Sequence, residues 1–139
     1  MGERRQAREL ALQALFFIDM EGAKSDPDAS IDAFCTSNEE KLTEGVDPFF
    51  KVLLHGVLTH QAQIDELLNR YSTNWKISRM PAVDRNIMRF AVYELLKRDD
   101  IPYSVTINEA VEIGKKYGTR DSGAFINGVL DRIKNRELS

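Results

Sequence analysis

The chain has 139 residues, 19 Lys and Arg against 22 Asp and Glu, 42% hydrophobic residues and a single cysteine, Cys35. A chain of this length buries roughly two thirds of its unfolded surface, so a core needs no staple, and one cysteine excludes an internal disulfide framework and fits a reducing compartment. No stretch approaches the ~18 apolar residues of a membrane span, and Met1-Gly2-Glu3-Arg4-Arg5 runs directly into an amphipathic pattern, so a cytoplasmic, non-membrane protein of one domain is expected.

Ala7, Leu10, Ala11, Ala14, Leu15 and Ile18 recur at three- and four-residue steps and predict a helix over about 4–20, with Gly22 as its stop. Ser25-Asp26-Pro27 reads as a cap and first-turn proline opening a short helix with Ile31, Phe34 and Cys35 on its apolar face. Asp47-Pro48 repeats that signal, and Phe50, Leu53, Leu54, Val57, Ile64, Leu67, Leu68 and Tyr71 continue a stripe to about residue 70, the longest helix. After a short segment around Trp75, Pro81 opens a helix in which Ile87, Met88, Phe90, Ala91, Val92, Tyr93, Leu95 and Leu96 are apolar almost all round. A helix of that kind belongs in the middle of a fold. Asp99 to Pro102 breaks it, and Thr106 with Glu109 has capping-box spacing ahead of Ala110, Val111, Ile113 and Tyr117. Gly118 suits a left-handed C-terminal cap, and Asp121 or Ser122 caps a last helix carrying Phe125, Ile126, Val129, Leu130 and Ile133. No segment alternates with period two, so the expected fold class is all-α. The expected architecture is two small helical bundles packed into one compact domain, an N-terminal three-helix group over about 1–71 and a C-terminal group over about 72–139.

Catalytic and metal-binding constellations are thin. His55 and His60 are five apart on one helix, about 140° around its axis, so local geometry does not let them share a metal. There is no glycine-rich phosphate loop and no paired Cys or His spacing, so no cofactor, no metal and no enzymatic activity are expected. Asp84 and Asp121 each stand near a helix start, where capping or a favourable dipole interaction accounts for a carboxylate.

The net charge of −3 conceals an uneven distribution: residues 21–47 hold eight acids and two lysines, so the remainder of the chain carries +3. Arg4, Arg5 and Arg8 fall within five residues, close enough for their fields to add within a Debye length of about 8 Å. Such a cluster fits a basic tip that meets phosphates and equally fits a merely solvated helix end. Since the stripe from Ala7 to Ile18 is separate from these arginines, replacing them is expected to leave helicity nearly intact.

Three blocks of sequence together resemble the NusB family of bacterial transcription antitermination factors. They are Arg4-Arg5-Gln6-Ala7-Arg8-Glu9-Leu10-Ala11-Leu12-Gln13-Ala14-Leu15; then Arg79-Met80-Pro81-Ala82-Val83-Asp84-Arg85 with Arg89 and Tyr93-Glu94-Leu95; and finally Ile101-Pro102, Ile107-Asn108-Glu109-Ala110-Val111-Glu112, Tyr117-Gly118, Ser122, Phe125 and Asn127-Gly128-Val129-Leu130-Asp131. They run in family order across nearly the whole chain, and the acidic stretch 21–47 carries no matched position.

The resemblance implies an all-α, non-catalytic protein that binds the boxA element of nascent RNA, above all in ribosomal RNA transcripts. The implied partner is NusE, a small-subunit ribosomal protein; further Nus factors and RNA polymerase are implied indirectly. A related domain occurs fused to RNA methyltransferases, but the length and the lack of a cofactor motif favour the stand-alone factor. Monomer and homodimer both remain open. The resemblance assigns RNA contacts to Arg4, Arg5 and Arg8, which can pair with phosphates or stack on bases, and to the aromatic positions Phe16, Tyr71 and Phe125. Phe16 replaces a family tyrosine and so lacks its hydroxyl. Asp84, Arg85, Asp121 and Ser122 match positions facing the RNA and NusE side, where a carboxylate repels phosphate but accepts from a base amino group. The competing class is a helical protein-interaction or dimerisation module that binds no RNA.

Overall fold

The computed structural model describes residues 2–22 and 26–138, which form six α-helices and no strand. In chain order these are α1 (Gly2–Glu21), α2 (Pro27–Ser37), α3 (Asp47–Tyr71), α4 (Ala82–Lys97), α5 (Tyr103–Tyr117) and α6 (Ser122–Glu137), with a 3-10 turn at Ile77–Arg79 between α3 and α4. The all-α class expected from periodicity is therefore the class found.

Local chemistry explains several boundaries. Gly22 leaves α1 with φ +76°, a left-handed conformation that glycine adopts without steric cost. Asp26 caps α2 by accepting the Asp28 backbone N–H at 3.1 Å, with Pro27 in the first turn; Ser25, read as part of the same signal, lies outside the described residues. α3 bends at His60 (φ −110°, ψ 17°). One turn before the bend, the Tyr93 ring fills the space where a side chain at Gly56 would begin, so α3 and α4 approach closely there.

Two boundaries differ from expectation. Thr106 and Glu109 are not a capping box, because α5 already begins at Tyr103. Thr106 is buried and donates its hydroxyl to Glu94 Oε1 at 2.8 Å, while Glu109 turns to Arg5. Gly118 is extended (φ −96°, ψ −157°) and not left-handed. Its lack of a side chain matters for another reason, since the Ser122 hydroxyl occupies the place a Cβ would take.

The core is organised around α4, which packs against α1, α3, α5 and α6. Ile87, Met88, Phe90, Ala91 and Val92 are completely buried, as an all-round apolar helix requires. Small residues on α1, Ala7, Ala11 and Ala14, are also fully buried and let that helix lie close to its neighbours. No helix among the described residues is long and apolar enough to cross a membrane.

Because Ala91 is fully enclosed, Ala91→Glu is expected to cost several kcal/mol, as a buried carboxylate without a partner does. Circular dichroism should show it melting well below the parent; a variant of parental stability would contradict the central position of α4.

Candidate nucleic-acid interface

The ten residues singled out in the sequence fall into three places. The first is the N-terminal end of α1. Arg4 is half exposed and lies 3.6 Å from Asp100, its guanidinium 4.8 Å from the centre of the Phe49 ring. Arg5 donates to both oxygens of Glu109, at 2.5 and 2.6 Å. That bond and the positive charge of Arg5 hold the Glu109 carboxyl below its ordinary range, against the opposing effect of burial. Arg8 is only 2% exposed and donates Nε and Nη2 to the two oxygens of Glu94, each at 2.8 Å. Arg98 joins the cluster, lying over Phe49 and pairing with Asp100, whose carboxyl its hydrogen bond lowers to about 2.

This end of the molecule is therefore a knot of arginines met by Glu94, Asp100 and Glu109, and the expectation of a basic tip independent of the fold is corrected. Arg8 offers no atom to an outside phosphate, and removing it does more than unload the surface: it strands Glu94, which is completely buried. Helical spacing concealed this, because Arg8 and Glu94 stand 86 residues apart.

The second place is where the N-termini of α4 and α6 meet the C-terminal part of α1, and it gathers Phe16, Asp84, Arg85, Asp121, Ser122 and Phe125. Asp84, in the first turn of α4, is 3% exposed and accepts the Ser122 hydroxyl at 2.7 Å. Burial pushes its carboxyl above the ordinary range, and the Ser122 bond only partly opposes this. Ser122, the first residue of α6, also accepts the Thr119 N–H at 2.9 Å. Asp84 and Ser122, expected as direct contacts, thus tie two helix ends together and are almost wholly enclosed. Arg85 likewise turns inward, donating to Asp19 at 2.7 and 3.0 Å and to the Ile77 carbonyl at 3.1 Å. Burial works against the Asp19 charge, yet bonds from Arg85 and Asn86 and the nearby Arg89 hold its carboxyl below the ordinary range. Arg89 continues to Asp65 at 2.9 and 3.1 Å.

The outward-facing members of this group are different in kind. Phe16 is 37% exposed and shares a shallow apolar hollow with Leu12, Val83 and Tyr117. Asp121 is exposed at the cap position of α6 but makes no capping bond with its side chain, so its carboxylate is available. Phe125 is half-buried, and its ring packs at 6.3 Å, tilted 48°, against Trp75. Around these side chains Lys76, Arg79 and Arg120 are exposed, and none makes an ion pair among the described residues. The positive ends of α4 and α6 add to that field. Trp75, Arg79 and Arg120 receive no RNA role from the sequence reading, although Arg79 stands in the second matched block. The signal for the first two was there: residues 72–81 carry Lys76 and Arg79 but no acid, in a chain whose net charge is −3.

The third place is Tyr71, at the end of α3. Its hydroxyl donates to Glu137 and its carbonyl accepts from Arg132 at 2.9 Å. Glu137 closes α6 fifteen residues after Ser122, roughly 22 Å along the helix, so Tyr71 is held toward the far end of α6. The arginine knot is separate too, since Phe16 follows Arg5 by eleven residues of α1, about 16 Å.

The helices that build these places carry the three matched sequence blocks, and comparison with known proteins agrees. Residues 5–135 match the model of the NusB family. The chain belongs to the NusB family. It is 59% identical over 134 residues to the transcription antitermination protein NusB of Desulforapulum autotrophicum, covering 96% of this chain and 92% of that one. Its fold is similar to that of T. maritima NusB, with a TM-score of 0.86 and 36% identity over 98% of this chain and 93% of the other. It is also similar to a chain in the crystal structure of the antitermination factors NusB and NusE in complex with dsRNA, with a TM-score of 0.82, 25% identity and coverage of 97% and 98%.

Two outcomes follow from the buried charges of this NusB-family fold. Arg8→Ala should lose about 3–5 kcal/mol in chemical denaturation because Glu94 is left enclosed without its cation, whereas Arg4→Ala, removing an exposed pair, should cost no more than about 1 kcal/mol. Equal losses would refute the distinction. For Asp84 the sign is set by its raised titration: the neutral form is favoured in the fold, so its stabilising effect is present in acid and is lost as pH rises through the raised value. Asp84→Asn, which keeps an acceptor for Ser122, should be more stable than the parent at pH 7, and melting curves should show the difference shrinking below about pH 4.

Proposed function

We propose that this chain is a transcription antitermination factor that binds boxA-type single-stranded RNA together with NusE. On this reading it acts without catalysis, in the cytoplasm, as an adaptor through which further Nus factors and RNA polymerase are brought to suppress termination in ribosomal RNA transcripts. The observation that carries the reading is the meeting of the α4 and α6 N-termini, where outward aromatic faces, an exposed carboxylate and cations unused by the fold stand together. The relative solved with NusE and dsRNA supports the choice of partners.

Each part of that place suits a component of an RNA strand. Phe16 and Phe125 offer faces on which splayed bases stack. Asp121 repels phosphate yet accepts from a base amino group, so it favours reading of bases over simple neutralisation. Arg79 and Arg120 attract the backbone. Arg4 and Arg5 form an outlying edge: their partners are partly exposed, and such pairs exchange for phosphate at small cost. Arg8, Arg85, Asp84 and Ser122 act through the scaffold, holding the helix ends that present the outer residues. Tyr71 supports the margin.

Titration of a labelled boxA-type strand tests this. The chain with NusE should bind more tightly than either protein alone, because joining two RNA-contacting surfaces raises effective concentration. Replacing Arg4 and Arg5 by Ala should lower the logarithmic salt slope by up to about 1.4, from roughly 0.7 per single-strand phosphate contact. Absence of RNA binding with and without NusE would overturn the proposal.

A further inference from the structure

We propose that Trp75, backed by Phe125 and flanked by Arg79, is a stacking platform that receives a base of the bound RNA strand, an inference that rests on the RNA-binding reading above. The chain contains one tryptophan, and it is 44% exposed. Large aromatic surface left in water needs a reason, and here the fold does not supply one. The segment between α3 and α4 is anchored by other groups: Asn69 Oδ1 accepts the Ile77 N–H at 2.7 Å, Arg85 donates to the Ile77 carbonyl at 3.1 Å, and Met80 is buried. Trp75 is not among these anchors.

The surroundings of the indole identify its occupant. Phe125 props it at 6.3 Å with the ring planes tilted by 48°. Asn74, Trp75 and Arg79 line one open hollow. Arg5, Arg8, Arg85, Arg89 and Arg98 all bind carboxylates of this chain, but Arg79 binds none among the described residues. Lys76 adds a second cation, and the segment 72–81 has no acid to compete for either. An aromatic face beside unpaired cations matches the alternation of base and phosphate along a single strand, and the Asn74 amide can address a base edge. Phe125 stands one turn into α6 from its cap residue Asp121, so the two lie at the same end of that helix and the platform continues the interface already described.

Because Trp75 is the chain's one tryptophan, its emission reports on this position alone. The experiment titrates a labelled boxA-type strand into the full chain with NusE, following RNA anisotropy and the tryptophan emission corrected for NusE alone. Emission should be quenched in step with binding. Trp75→Leu should weaken binding about 5- to 150-fold, the loss of one stacked base, with an unchanged melting temperature; Trp75→Phe should restore most of it. Arg79→Ala should lower the logarithmic salt slope by about 0.7. RNA bound with unaltered emission and parental affinity in Trp75→Leu would overturn the platform and leave the RNA-binding reading standing. Emission that responds to NusE but not to RNA would make Trp75 a protein contact and overturn it. A large melting loss in Trp75→Leu would make the residue a structural prop, and no RNA binding at all would sink the platform and the reading beneath it together.

Discussion

The buried pair of Arg8 and Glu94 governs the arrangement of this molecule. Glu94 sits at full burial on the central helix α4 and accepts from Arg8 of α1 and from Thr106 of α5, so one carboxylate joins three helices. Such a group is not retained for raw stability, since an apolar substitute of similar shape often does as well. Its consequence here is register. The alanines that α1 turns inward let helices approach, but small apolar residues tolerate sliding. A charge that meets its partner in one place only does not.

A second set of charges holds the other end of α1. Asp19 receives Arg85, Asn86 and Arg89 from α4, and Arg89 passes on to Asp65 of α3. Arg8 and Asp19 are eleven residues apart, about 16 Å along the helix, so α1 is locked at two separated points. Phe16 lies between them. Its position beside Val83 and Tyr117 in the apolar hollow is thus a result of how the two locks set the helix.

These locks also divide the arginines by task. Arg8, Arg85 and Arg89, which meet Glu94, Asp19 and Asp65, are components of the fold, while Arg4 and Arg5 make pairs whose partners are partly exposed. Lys76, Arg79 and Arg120, which the fold leaves unpaired among the described residues, stand around the α4 and α6 N-termini. A protein of net charge −3 can still present a local attraction for a polyanion by this segregation. Asp121 within that field tempers it, and on the proposed reading it would accept from a base amino group where it repels phosphate.

The amino-acid pattern alone determined the helices, their approximate limits and the central place of α4, because periodicity and proline and glycine signals act over a few residues and an all-round apolar helix has only one environment to occupy. Three blocks of residues likewise made the NusB resemblance legible. What the pattern left undecided was which polar residues face outward. Arg8 looked like a surface cation and Thr106 and Glu109 like a capping box, since each has a local arrangement compatible with that role, while Asp84, a helix-start carboxylate by position, was a contact residue only by family resemblance. Their partners lie 86, 12, 104 and 38 residues away for Arg8, Thr106, Glu109 and Asp84 respectively. Only tertiary packing brings those partners within hydrogen-bonding distance, and a buried charge takes the opposite charge it finds there because leaving either unpaired costs more than any surface role returns.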